Sequence, residues 1–214
     1  MPDGPLKSNA DKDSREDFNV RPAHLGEAGE LALLMAEVIS WSRLCELGHG
    51  FMTLLHRHMI RSRHAICYVA EREGAILGYA AWSADTAKFY REFILRHGIS
   101  AAIKLAPKII QPRQIQVILR GLTYFHEAHP EDPGAEVLSF AVRARAKQAG
   151  VGKAIFRAMA QEFKSRCIGA VKVGAVEVTN ETGNLFYNRV GCELLRTEPF
   201  YRNSKVNVYV YRIT

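Results

Sequence analysis

The most constraining stretch of this 214-residue chain is a short turn, Lys147-Gln148-Ala149-Gly150-Val151-Gly152-Lys153. Just before it, residues 136–142 read EVLSFAV, an apolar, β-prone run. Just after it, Val151, Ala154, Ile155, Ala158, Met159 and Phe163 recur at helical spacing along one face. A strand that turns through glycines into an amphipathic helix commits the chain to a sheet with helices packed on it. The same turn suits an anion. Glycines let backbone approach a ligand closely, and a helix N-terminus presents free N–H groups and a positive dipole end. Lys147 and Lys153 add charge at the same place.

Two anion-binding loops are excluded by single residues. A P-loop needs Gly at position 147 and Ser or Thr after Gly-Lys, where this chain has Lys147 and Ala154. A dinucleotide fingerprint needs Gly or Ala where Ile155 stands. The remaining pattern, R/Q-x-x-G-x-G/A, resembles the loop of the GCN5-related N-acetyltransferases, which wraps the pyrophosphate of acetyl-CoA. Val142 lies five residues before Lys147, as in that family. The family also shows N-x-x-A-x-x-Φ-Y followed by a Gly turn into a strand. Here the chain reads Asn180-Glu181-Thr182-Gly183-Asn184-Leu185-Phe186-Tyr187, then Asn188-Arg189-Val190-Gly191-Cys192. The resemblance is good over residues 134–214 and weak over residues 19–83. Lys147 replaces the usual Arg or Gln, keeping charge without a planar fork. Gly183 replaces the usual Ala, an exchange expected to be sterically tolerable and to cost about 0.5–1 kcal/mol of helix propensity.

The resemblance implies an α/β (α+β) fold: a mixed, mostly antiparallel central sheet splayed at the cofactor site, with helices on both faces. It implies acetyl-CoA as cosubstrate and no metal. It places Lys147, Gln148, Ala149, Gly150, Val151, Gly152 and Lys153 on the pyrophosphate. Backbone of Phe140, Ala141 and Val142 would face the acetyl carbonyl and the pantetheine arm. Asn180 and Asn184 would contact the cofactor, and Tyr187 would protonate the departing thiolate.

Acetyl transfer to an amine requires a held thioester, a deprotonated amine, a stabilised oxyanion and a protonated leaving group. Spacing of i, i+4, i+7 puts Asn180, Asn184 and Tyr187 on one side of a short helix. A tyrosine has a reference pKa of about 10, so Tyr187 carries a proton at neutral pH. It reads equally as a core aromatic with its hydroxyl satisfied. For the base, Glu136 and Glu177 lie on the two strands that would border the cleft. Each reads equally as a surface carboxylate or a salt-bridge partner, and a water chain would also serve. His56-Arg57-His58, with His49 and His64 nearby, looks like a cluster. On a helix, however, positions 56 and 58 face different ways, and no metal site is expected there.

The rest of the chain is read from periodicity. Residues 1–18 form a polar tail, and residues 19–214 are expected to be one domain with a basic helical insertion at about 84–132. Helices are expected over residues 26–39 and 44–59. Residues 65–70 and 75–82 read as a hairpin joined by Glu71-Arg72-Glu73-Gly74. Two amphipathic helices are expected in the insertion, one containing Phe89 and Phe93, the other Ile115, Ile118, Leu119 and Leu122. After the turn come a strand at 170–178, a short helix at 183–190, and strands at 193–200 and 206–211.

Composition limits the partners. No apolar stretch approaches the roughly 20 residues of a membrane span. Cys45, Cys67, Cys167 and Cys192 form no C-x-x-C pair, so neither a zinc module nor a disulfide scaffold is indicated. The polar N-terminus has no secretory core, and the cytoplasm is the expected compartment. The net charge is +7, and residues 88–120 carry seven bases against one acid, Glu92. That segment suits an anionic acceptor, for which the family resemblance implies a nucleotide-linked amino sugar as one example, or peripheral contact with an anionic membrane, or it is a solvated face. Nucleic acid is a poor fit, because Phe89, Tyr90 and Phe93 sit together rather than interleaving along a groove. A homodimer is compatible with the sequence. The leading expectation is acetyl transfer from acetyl-CoA to a primary amine of a small molecule. The competing one is a non-catalytic acyl-CoA-binding or regulatory module that docks an anionic partner.

Overall fold

The computed structural model describes residues 18–39, 43–108, 129, 131–147, 149–199 and 204–213. Among them are strands β1 (Asn19–Pro22), β2 (Ala65–Arg72), β3 (Ala75–Ser83), β4 (Glu136–Val142), β5 (Ala170–Glu177), β6 (Glu193–Pro199) and β7 (Lys205–Arg212). The α-helices are α1 (Ala28–Val38), α2 (His49–Arg61), α3 (Thr86–Leu105), α4 (Val151–Ser165) and α5 (Glu181–Arg189). The tail up to Asp17 and the apolar positions Ile115–Leu122 lie outside the described residues.

Local chemistry explains the boundaries. The hairpin turns on two residues rather than the four expected: Glu73 (φ 52°) and Gly74 (φ 78°) both adopt positive φ, which matches the twist of β2 and β3. The helix expected over residues 44–59 is broken at Gly48 (φ 93°) into a 3-10 turn, Arg43–Leu47, and α2. The first insertion helix, α3, starts where Asp85 accepts the Lys88 N–H as an N-cap.

The seven strands form one sheet in the order β1-β2-β3-β4-β5-β7-β6. Every neighbouring pair is antiparallel except β4 and β5, which are parallel. Helices cover both faces. On one side α4 inserts Val151, Ile155, Met159 and Phe163 against Ala80, Trp82, Val171 and Val173. On the other, α1, α2 and α3 bury Leu31, Leu55 and Phe89 against Val69, Tyr79, Ala81 and Ala141. The sheet is mixed, mostly antiparallel and sandwiched, as expected from the sequence.

The feature that makes a site is the β4–β5 pairing, which is confined to Glu136↔Lys172. Beyond that apex the two strands diverge and the sheet splits. Both strands are bulged beside the gap. In β4, Leu138 is the extra residue between Val137↔Trp82 and Ser139↔Ala81. In β5 the register to β7 shifts between Val173 and Val176.

Candidate active site at the split in the sheet

At the open end of the gap, β4 passes through a 3-10 turn, Ala144–Ala146, to Gly150, which N-caps α4 in the left-handed region at φ +79°. That conformation is why glycine stands there. The first intrahelical bond runs from Ala154 N–H to Gly150 carbonyl, and no side chain caps the helix. The N–H groups of Val151, Gly152 and Lys153 therefore end the helix without an intrahelical acceptor. They make an anion site with a positive dipole end. Lys147, Ala149 and Lys153 are exposed around it, whereas Gln148 lies outside the described residues. The approach to the turn is fastened by Arg143, whose Nε donates to the Ile76 carbonyl and whose guanidinium pairs with Glu37 at 2.6 Å.

Gly152 sits tightly against an aromatic pair that the sequence alone does not reveal. A Cβ there would stand 3.2 Å from Phe186 Cε2 and 3.7 Å from Phe140 Cζ. The glycine makes room for the Phe186 ring, which stacks on Phe140 with centroids 5.1 Å apart. Close ligand approach is thus not the only demand on it.

Along the gap, strand alternation fixes which backbone groups are free. Arg143 N–H bonds the Leu77 carbonyl of β3, so the backbone of Ala141 also faces β3. Phe140 and Val142 then turn their N–H groups toward the gap, past the single β4–β5 pair. The bulge at Leu138 resets the alternation just before Phe140.

Helix α5 brings Tyr187 to the gap. Its ring is buried, stacks on Tyr209 at 5.9 Å and meets Phe140 edge-on at 6.3 Å. Burial pushes its hydroxyl well above the usual tyrosine range, so it carries its proton throughout the physiological range. Nothing among the described residues hydrogen-bonds that hydroxyl.

The two asparagines are engaged within the protein. Asn180 caps α5, accepting the Gly183 N–H at 3.0 Å. Its amide leaves no space for a side chain at 183: a Cβ there would lie 2.7 Å from Asn180 Nδ2. Alanine would therefore displace the cap, so glycine at 183 is not only tolerated but favoured by this cap. Asn184 is saturated. Its Nδ2 donates to the carbonyls of Glu177, Val178 and Asn180, and its Oδ1 accepts from Asn207 Nδ2 at 2.9 Å and Tyr209 OH at 2.7 Å. With every polar atom engaged, it anchors α5 to β5 and β7 and has no donor left for a cofactor.

The two candidate carboxylates are not brought together. Glu136 sits buried at the apex, 3.5 Å from Lys172 Nζ. The same Nζ lies 3.3 Å from Asp132, which holds Arg196 through two bonds of 2.6 and 2.9 Å. Burial acts to raise the Asp132 carboxyl, but Arg196 and Lys172 outweigh it and hold it below the usual range. Glu177, half-buried, ends β5 five residues beyond Lys172, about 16 Å along the strand. One carboxylate lies at the apex and the other near the mouth.

A polar chain that crosses the sheet's neighbourhood escaped the sequence reading. His56 Nε2 lies 2.7 Å from Tyr79 OH, which lies 2.6 Å from Ser139 Oγ on β4. His58 instead points its Nε2 at the Phe89 carbonyl, 3.1 Å away. Among the described residues, no three His, Cys, Asp or Glu side chains assemble as a metal group.

No curated protein matches the sequence. Solved structures match the fold. An N-acetyltransferase of the GCN5-related group from Kribbella flavida has 18% identity and a TM-score of 0.61, covering 92% of this chain and 98% of its own. The ribosomal-protein-S18-alanine N-acetyltransferase from Escherichia coli has 9% identity and a TM-score of 0.57, covering 92% and 94%. The PaiA N-acetyltransferase from Thermoplasma acidophilum, solved with coenzyme A, has 11% identity and a TM-score of 0.52, covering 91% and 98%. The sequence profile of the acetyltransferase (GNAT) family matches residues 35–192. By that match over most of its length, the chain belongs to the acetyltransferase (GNAT) family.

Proposed function

We propose that residues 19–214 form one acetyltransferase domain, with a basic insertion at 84–132, that moves an acetyl group from acetyl-CoA to a primary amine of a small acceptor. One observation carries this reading: the split between β4 and β5 runs from an uncapped helix N-terminus to a buried, protonated tyrosine. The coenzyme A bound by the Thermoplasma acidophilum relative supports the same ligand here. The N–H groups of Val151, Gly152 and Lys153, with Lys147, would hold the pyrophosphate. The Phe140 and Val142 N–H groups would receive the thioester carbonyl and the pantetheine arm.

The amine lone pair attacks the thioester carbonyl, and the oxyanion is held by the Phe140 N–H. As the C–S bond breaks, Tyr187 gives its proton to the sulfur, and coenzyme A leaves as a thiol. The amine proton passes to Glu136 or to water. Glu136 is placed near the apex, 3.5 Å from Lys172 Nζ. Glu177 ends β5 toward the mouth of the gap. An anionic acceptor, such as a nucleotide-linked amino sugar, would suit the exposed bases Lys88, Arg91, Arg96 and Lys104 of α3.

Thiol release over a panel of amines tests the reading. Acceptor-dependent release of coenzyme A supports it. Tight binding of coenzyme A with no turnover on any amine would overturn it in favour of a non-catalytic binding module. Glu136→Gln and Glu177→Gln then assign the base: the correct substitution shifts or removes the acidic limb of the pH–rate profile.

A further inference from the structure

We propose that Tyr79 and His56 position the bulged stretch of β4 through Ser139, and so aim the Phe140 N–H at the acetyl carbonyl. The inference rests on the acetyl-transfer reading and adds positioning residues to it.

The proton arrangement of this chain is fixed by its ends. His56 Nδ1 lies 2.8 Å from the Met52 carbonyl, which can only accept, so Nδ1 carries the hydrogen. Burial pushes His56 down to about 4, so Nε2 keeps its lone pair at neutral pH and accepts from the Tyr79 hydroxyl. The single proton of Tyr79 is thereby used. Its oxygen must accept, and the Ser139 hydroxyl donates across 2.6 Å. His56 and Tyr79 are 0% exposed and Ser139 is 5% exposed. With one place for every proton, the chain is rigid in a way a partly satisfied network is not. It does not act as a proton sink, because His56 does not hold a second proton near neutrality.

What it grips matters. Ser139 stands opposite Ala81, immediately after the extra residue Leu138 and immediately before Phe140. Strand alternation resets at that bulge, so any slip there would turn the Phe140 N–H away from the gap. Helix α2 thus reaches through Tyr79 of β3 and fixes β4 where its aim is decided. Effective stabilisation of a reacting carbonyl requires donors held within about 0.5 Å of their productive positions.

The test is difference infrared spectroscopy of acetyl-CoA labelled with ¹³C at the thioester carbonyl, bound to the wild type, Tyr79→Phe and Ser139→Ala. In the wild type the hydrogen-bonded carbonyl stretch should fall below its solution frequency. In both variants it should return toward the solution value. Turnover number should drop about 10–100-fold, as expected for a slightly misplaced reacting group, with KM for acetyl-CoA within about twofold. The double variant should be no slower than either single one. A folded Tyr79→Phe protein that keeps the full wild-type frequency shift, or additive losses in the double variant, would overturn the inference. So would an active wild type with no shift. If Tyr79→Phe fails to fold, Ser139→Ala carries the same readouts, since it removes one hydroxyl and adds no bulk. A wild type that releases no coenzyme A with any amine would instead overturn the acetyl-transfer reading.

Discussion

Asn184 separates two accounts of helix α5 sharply, because a cofactor ligand and a scaffold residue fail differently. Replacing it with alanine deletes an amide that holds three carbonyls, the Tyr209 hydroxyl and the Asn207 amide. Two hydrogens on Nδ2 are shared among the three carbonyls, so the losses do not simply add. Water can rescue the more exposed of these groups, but the Tyr209 side chain is 2% exposed. Leaving that hydroxyl and about one carbonyl unpaired, at about 1–3 kcal/mol each, gives a loss of about 2–6 kcal/mol. For a chain of this size that lowers Tm by roughly 4–24 °C. Differential scanning calorimetry reads the Tm, and isothermal titration at 15 °C below it reads the affinity for acetyl-CoA, expected to weaken by less than about threefold. An unchanged Tm with binding lost by a factor of about 100 would refute the anchoring role and return Asn184 to the cofactor.

Other perturbations address the remaining parts. Tyr187→Phe keeps the stacked ring and deletes the donor, so kcat should fall by about 10²–10⁴-fold with acetyl-CoA affinity nearly unchanged; wild-type turnover would leave the ring as packing alone. Gly152→Asp should abolish acetyl-CoA binding by titration, through a side chain driven at Phe186 and a negative charge at an anion site; unchanged affinity in a folded variant would dismiss the loop. His56 has a folded pKa near 4 against 6.5 unfolded, so its contribution is fully present above pH 6.5 and is lost as pH falls toward 4. That contribution is about 3 kcal/mol; thermal melts of His56→Gln between pH 7 and 4.5 should show a flatter acid limb than the wild type.

The parts of the fold that were legible in sequence are those decided locally. The hydrophobic face of α4, the glycine turn and the β2–β3 hairpin each depend on residues within one short window. The departures have longer reach. Asn184 looked like a ligand because its partners Asn207 and Tyr209 are 23 and 25 residues away. The chain from His56 to Ser139 spans separations of 23 and 60 residues, which no periodicity reports. That Gly183 is favoured rather than merely tolerated was invisible, because helix propensity is a property of one position, whereas the Asn180 amide over it is a property of the cap. Glu136 and Glu177 both qualified as bases because their strands border the cleft; where each lies along it depends on register, and the lone Glu136↔Lys172 pair puts them at opposite ends.

That single ladder pair also divides the molecule mechanically. On one side, β1 to β4 are stitched by continuous backbone hydrogen bonds, and on the other, β5, β7 and β6 are stitched likewise. Between the two halves the backbone contributes almost nothing, so side chains carry the join: the apolar contacts of α4 on both halves, and the Asp132–Lys172–Glu136 and Asp132–Arg196 ion pairs. A sheet joined this way is two plates sharing a riveted corner. Slow motions of the gap should therefore pivot at Lys172, widening the mouth beside Glu177 far more than the apex, and high salt should loosen the corner only weakly because its charges are buried.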